Sequence, residues 1–185
     1  MELSVGRQAP RLERMETENQ NVEIWRTQIE EADAAFCLVR EYFETVGVVL
    51  CEDREKFVEE YFGAGKGFWL ARVGGELAGC VGLRRLLLDT MPGREDAASA
   101  EIKRMYVRAK FRGRGLAQKL LEAAECFARL KAYAWIYLDT MATMKAAARL
   151  YERNGFEPCE RYNENAQAAI FMRKNLNDTS NLSRG

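Results

Sequence analysis

The sequence contains no histidine. That absence removes serine–histidine triads and histidine-based metal centres from consideration. Cysteine is scattered: Cys37, Cys51, Cys80, Cys126 and Cys159 are odd in number and form no Cys-x-x-Cys pair. Neither a zinc site nor a redox dithiol is indicated, and no metal is expected. Reduced thiols in a cytoplasmic protein are the simplest account. No apolar run approaches the roughly 20 residues that span a bilayer, and the first residues lack the apolar centre of a secretory signal. Net charge is missing too, with 28 Lys+Arg against 28 Asp+Glu. The chain as a whole therefore has no electrostatic pull on nucleic acid or anionic membrane. A nucleic-acid-binding domain normally adds aromatics gathered on one basic face, and none is evident.

What is present is ordered in pattern. At 185 residues one domain is the default. Residues 1–21 and 177–185 are polar and are expected to be tails around a domain at 22–176. Residues 22–27 alternate as a first strand. Asp33 is placed to cap a helix running to about residue 43, and a second helix is expected from near Asp53, carrying Phe57, Val58, Tyr61 and Phe62. Residues 68–73 and 77–88 read as a hairpin turning at Gly74-Gly75. Residues 89–100 hold Pro92 and Gly93 and read as a loop. Further on, 135–138 is a short buried strand. Thr143 is placed to cap a helix to about Arg153, with Asn154-Gly155 as its stop. Residues 156–162 and 168–173 are the last two strands.

The centre of the chain is 101–127, EIKRMYVRAKFRGRGLAQKLLEAAECF. Ile102, Met105, Tyr106 and Val107 among charges suit a strand half in the core. From Leu116 the apolar residues Leu120, Ala123, Ala124, Phe127 and Ala128 recur at helical spacing. Between strand and helix lie Gly113 and Gly115, flanked by Arg112 and Arg114. The first amides of a helix have no intrahelical partner, and its dipole is positive there. Glycines let a ligand approach the backbone closely. An anion such as a phosphate or pyrophosphate is the natural ligand of such a turn. The basic residues Lys103, Arg104, Arg108 and Lys110 precede it and are read as either part of that site or a solvated strand end. No Lys-Ser or Lys-Thr follows the glycines, so a P-loop is not supported. The spacing is not the dinucleotide-binding fingerprint either.

The run Arg112-Gly113-Arg114-Gly115-Leu116-Ala117 resembles motif A of the GNAT acetyltransferase superfamily, Arg/Gln-x-x-Gly-x-Gly/Ala. The preceding EIKRMYV and the later LYERNGF are similar to that family in the same order and at about its spacing. The resemblance covers roughly 22–176. It implies an α/β GNAT fold, a single domain with a mixed central β-sheet flanked by helices. The resemblance further implies that the fourth and fifth strands splay apart to admit the pantetheine arm of the cofactor. It also implies an N-acetyltransferase using acetyl-CoA as co-substrate, without metal, on an amine acceptor that is a small molecule, peptide or protein. A homodimer is left open by the resemblance.

The residues bear this chemistry. Arg112, Gly113, Arg114, Gly115, Leu116 and Ala117 would hold the pyrophosphate. The backbone of Met105, Tyr106 and Val107 would pair with the pantetheine amides as an added strand does. A free amine of pKa about 10.4 is mostly protonated at neutrality and must lose a proton to attack. Glu101 matches a glutamate that serves as proton acceptor in several family members; pairing with a nearby Lys or Arg is the alternative. Tyr151 matches the family's general-acid tyrosine, against the alternative of a core tyrosine on a helix face. Met144 stands where many members carry asparagine. Acceptor selection is expected from the N-terminal helices and the loop near 162–165, with Trp25, Phe36, Tyr42 and Tyr162 as pocket or core aromatics. A non-catalytic acyl-CoA sensor is the competing reading, since it needs the turn but not Glu101 and Tyr151.

Overall fold

The computed structural model describes residues 21–47, 52–88 and 98–178. Most of the expected tails, most of the 89–100 loop and Cys51 lie outside them. The elements follow the expected order: β1 Val22–Arg26, α1 Ala32–Val46, α2 Arg54–Tyr61, β2 Gly67–Val73, β3 Glu76–Leu86, β4 Ser99–Val107, α3 Leu116–Leu130, β5 Trp135–Thr140, α4 Lys145–Arg153, β6 Glu157–Pro158 and β7 Ile170–Asn175. The strands form one sheet in the order β1-β2-β3-β4-β5-β7-β6. β4 and β5 run parallel, and the other neighbours are antiparallel. No helix among the described residues is long and apolar enough to cross a membrane.

Strand alternation divides the core in two. Trp69, Ala71 and Val73 of β2, with Val81 and Leu83 of β3, pack with Leu116, Leu120, Leu121 and Ala124 of α3 and Leu150 and Tyr151 of α4. Phe68, Leu70 and Cys80 point the other way, to Ala35, Leu38 and Val39 of α1 and Phe57 and Tyr61 of α2. Successive strand side chains alternate faces, so each strand serves both layers. In β4 the parity changes. Ala100 and Ile102 join the α3 layer, but beyond them Val107 joins it and Tyr106 faces α1. The register explains the switch, because Gly82 pairs with Lys103 while Cys80 pairs with Tyr106. The extra residue is a β-bulge, and Arg104 within it has φ +57. Cys80 Sγ donates to the Arg104 carbonyl oxygen at 3.4 Å.

Several local expectations are corrected. Asp33 lies inside α1, not at its cap; a 3-10 turn, Ile29–Glu31, precedes the helix, and Asp33 pairs with Arg54. Asp53 does cap α2, accepting from Lys56 N at 2.9 Å. Thr143 does not cap α4, whose N-cap is Met144 without a side-chain bond. The strand expected over 156–162 shrinks to Glu157–Pro158. Cys159 N still bonds the Phe171 carbonyl of β7 at 2.9 Å, and beyond it Tyr162 and Asn163 reach to β4 and β5. Gly155, at φ +80, ends α4 as expected.

Candidate active site

β4 and β5 pair only from Ser99–Trp135 to Ile102–Leu138. Beyond that point they part, and a cavity of about 620 Å³ opens at the fork. Ile102, Met105, Met141, Met144 and Ala147 give it an apolar wall, with Tyr151 beside them. Tyr42, Phe43 and Val46 of α1 form a second wall, and Asn163 to Ala168 a third. Glu52, Lys56, Glu60, Arg84 and Arg104 make the remaining end charged.

At the end of β4 the chain makes a short 3-10 turn, Ala109–Phe111, whose Phe111 is buried. The exposed residues 112–115 follow, and α3 begins at Leu116. Gly113 and Gly115 have φ +76 and +74, and a side chain at either would meet nothing within 4 Å. The turn is thus open above its backbone, with the unpaired first amides of α3 beneath. Arg112 Nε donates to the Val107 carbonyl at 3.0 Å, which ties the turn to the strand end. Gln118 in the first turn of α3 and Asn154 at the end of α4 exchange amide hydrogen bonds of 2.7 and 2.8 Å. The Asn-Gly stop of the LYERNGF run therefore locks the helix that carries Tyr151 to the helix that carries the turn.

The basic stretch does not act as one patch. Arg108 forms a bidentate pair with Glu41 of α1, its Nη2 donating at 2.7 Å, and Lys110 pairs with Glu76. Glu41 is held below the usual carboxylate range by the Arg108 hydrogen bond, against the opposing effect of burial. Lys103 and Arg104 face the cavity, among acidic partners. Arg112 and Arg114 alone stay with the turn. The reason is strand alternation with a bulge in it, which sends neighbouring side chains to different places.

Tyr151 is 5% exposed and packs edge-on against Phe156, with ring centroids 5.7 Å apart. Burial, with Tyr42 and Asp139 nearby, pushes its phenol pKa well above that of an ordinary tyrosine. It stays protonated and can donate to an anion at the fork. Glu101 is wholly buried on β4 and is not part of the cavity wall. Its carboxylate takes Arg84 Nε at 2.8 Å, Lys103 Nζ at 3.0 Å, the Tyr162 hydroxyl at 2.9 Å and Asn163 Nδ2 at 3.1 Å. Met105 lines the cavity, whereas Tyr106 and Val107 turn their side chains into the core, and β5 does not pair with the strand beyond Ile102. Of the aromatics, Tyr42 reaches the cavity. Phe36 packs on Phe57, Trp25 donates to Glu31, and Tyr162 packs on Tyr137 and Phe171.

Glu52, Glu60, Arg84 and Asp139 were not singled out from the sequence. Asp139 on β5 takes Lys103 Nζ at 2.7 Å and Asn163 Nδ2 at 2.6 Å. Burial would raise its pKa, but Lys103, Asn163 and Asn165 together hold it below the ordinary value. The signal for Arg84 was there: paired arginines in an otherwise apolar strand need acidic partners.

Residues 64–158 match the family model described as an acetyltransferase (GNAT) domain. N-acetylaspartate synthetase of Danio rerio is 36% identical over 101 residues, 54% of this chain and 33% of that protein. The chain thus spans about a third of the length of that relative. The uncharacterized N-acetyltransferase YsnE of Bacillus subtilis is 35% identical over 113 residues, 59% of this chain and 69% of that one. In fold, the chain is similar to PaiA N-acetyltransferase of Thermoplasma acidophilum, solved in complex with coenzyme A. The TM-score is 0.61 at 18% identity, over 84% of this chain and 99% of that one. With the forked sheet and the glycine turn at α3, these matches show that the chain belongs to the GNAT acetyltransferase family.

Proposed function

We propose that this chain transfers an acetyl group from acetyl-CoA to a primary amine by direct attack within a ternary complex. The observation that carries the reading is the open glycine turn at α3, joined through Gln118 and Asn154 to the helix that presents Tyr151 to the cavity. The relatives' names, N-acetyltransferase and N-acetylaspartate synthetase, support N-acetyl transfer. When bound, acetyl-CoA supplies the activated acyl group.

The residues present fit that co-substrate. Amides of Gly113 to Ala117, with Arg112 and Arg114, would hold the pyrophosphate. The backbone edge of Met105 to Val107, unpaired by β5, would take the pantetheine amides. A backbone N–H on that edge would also hold the oxyanion that forms on attack. The amine attacks in its neutral form, its first proton given to solvent water. Its nitrogen bonds to the acetyl carbon and releases a second proton to water as the carbon–sulfur bond breaks, and Tyr151 supplies the hydrogen bond or proton to the departing thiolate. Glu101 sits behind the wall with its oxygens taken by four side chains. In this reading it acts through the groups it holds, Lys103 and Arg84, rather than on the amine itself.

Thermal unfolding with added CoA tests the binding half of the reading. A ligand that binds the folded state alone raises Tm by mass action. CoA should raise Tm in the wild type and not in Gly115→Glu, where a carboxylate stands over the turn. No rise at millimolar CoA would remove the reading.

A further inference from the structure

Arg104 Nη2 meets Glu52 Oε2 at 2.5 Å on the cavity wall, and the Glu52 side chain is 5% exposed. The pair is half satisfied. Arg104 Nε and Glu52 Oε1 are both buried without a hydrogen-bond partner among the described residues. Arg84 and Lys103 are better met. Arg84 has Glu60 and Glu101, and Lys103 has Glu101 and Asp139. Buried donors and acceptors are normally paired, and those that are not call for an explanation. Arg104 also holds a left-handed backbone, φ +57, at the β4 bulge, and this turns it toward Glu52 and Phe43. Side chains other than glycine seldom adopt that conformation.

The unmet groups are one cationic donor and one anionic acceptor on the same ion pair. A plain amine would answer Glu52 and add positive charge beside Arg104. A carboxylic acid would do the reverse. A peptide N-terminus brings an ammonium without a neighbouring carboxylate. A zwitterion answers both at once. Resting on the acetyltransferase reading, we propose that the acceptor is a free amino acid, its carboxylate taken by Arg104 and its ammonium by Glu52. Arg104 and Glu52 are then specificity-determining residues.

The wild-type enzyme provides the first test. Acetylation of each amino acid is compared with that of the amine left when its α-carboxylate is removed. Loss of one charge-assisted contact corresponds to about a 10- to 100-fold fall in acceptor kcat/KM. Arg104→Gly, whose backbone suits the bulge, should bring the ratio close to one and leave the KM for acetyl-CoA unchanged. Glu52→Gln should raise the acceptor KM for both members of each pair. The proposal is overturned if the wild type prefers decarboxylated amines or peptide N-termini. It is also overturned if Arg104→Gly leaves the ratio as it was. Acetylation of plain amines alone would sink this proposal and leave the acetyltransferase reading standing. If CoA raises Tm yet no amine of either kind is acetylated, the parent reading fails and takes this one with it.

Discussion

Arg84 and Glu101 stand opposite each other on β3 and β4, and Arg84 Nε donates to Glu101 Oε2 at 2.8 Å. That contact anchors a buried charge that also holds Lys103, Tyr162 and Asn163. Breaking a buried ion pair from one side costs about 3–5 kcal/mol. Glu101→Gln keeps the shape and some hydrogen bonds, so a loss of about 2–3 kcal/mol is expected, read as a lower Tm. The kcat should fall with it, while the acid limb of the pH–kcat profile keeps its position. Disappearance of that limb would return Glu101 to the role of direct proton acceptor.

Tyr151→Phe removes the hydroxyl and keeps the ring against Phe156. General-acid assistance contributes about 10²–10⁴-fold. A thiol of pKa about 8.5 is already a fair leaving group, so the lower end is expected. The loss should fall on kcat, with the KM for acetyl-CoA little changed, as for an interaction made in the transition state. A kcat within a few-fold of wild type, with chemistry rate-limiting, would make Tyr151 a packing residue.

Asp139 joins β5 to the 163–168 wall of the cavity. Its folded pKa is depressed, so its contribution is fully present above the unfolded value of about 3.9. It is lost as pH falls through the lower folded value. Asp139→Asn should therefore be less stable at neutral pH by about 1–3 kcal/mol. The deficit should hold down to about pH 4 and narrow below it. Urea unfolding of both proteins from pH 7 to pH 3 gives the answer. A deficit independent of pH would mean that the Asp139 charge does not stabilise the fold.

Gly82 on β3 lies under Tyr61, and an added Cβ would stand 2.5 Å from that ring. Tyr61 is fully buried and packs edge-on against Phe68, so it has little room to move. Overpacking of this kind costs about 1–3 kcal/mol, and Gly82→Ala should lower Tm accordingly. An unchanged Tm would show that α2 shifts freely on the sheet.

The order of elements was legible because alternation in β2 and β3 and helical spacing in α3 are local signals. The glycine turn was legible for the same reason, since Gly113 and Gly115 stand beside a helix start. The charged end of the cavity was not. Reading β4 as an unbroken strand hides the bulge, and the bulge alone turns Arg104 toward Glu52. Asp139 fell outside a strand expected to end at residue 138, and β5 runs to Thr140. Glu101 was placed on the right strand, but its partners other than Lys103 come from β3 and the 162–163 segment. Their sequence separations of 17 to 62 residues give no local pattern.

The central claim is that this cavity catalyses acetyl transfer rather than merely binding CoA. The direct measurement incubates the protein with acetyl-CoA and a panel of amino acids, simple amines and peptides, and identifies acetylated products by mass spectrometry. The account predicts at least one N-acetylated amine, formed in step with free CoA thiol and lost in Gly115→Glu. CoA binding by thermal shift with no acetylated amine anywhere in the panel would contradict it and leave an acyl-CoA sensor.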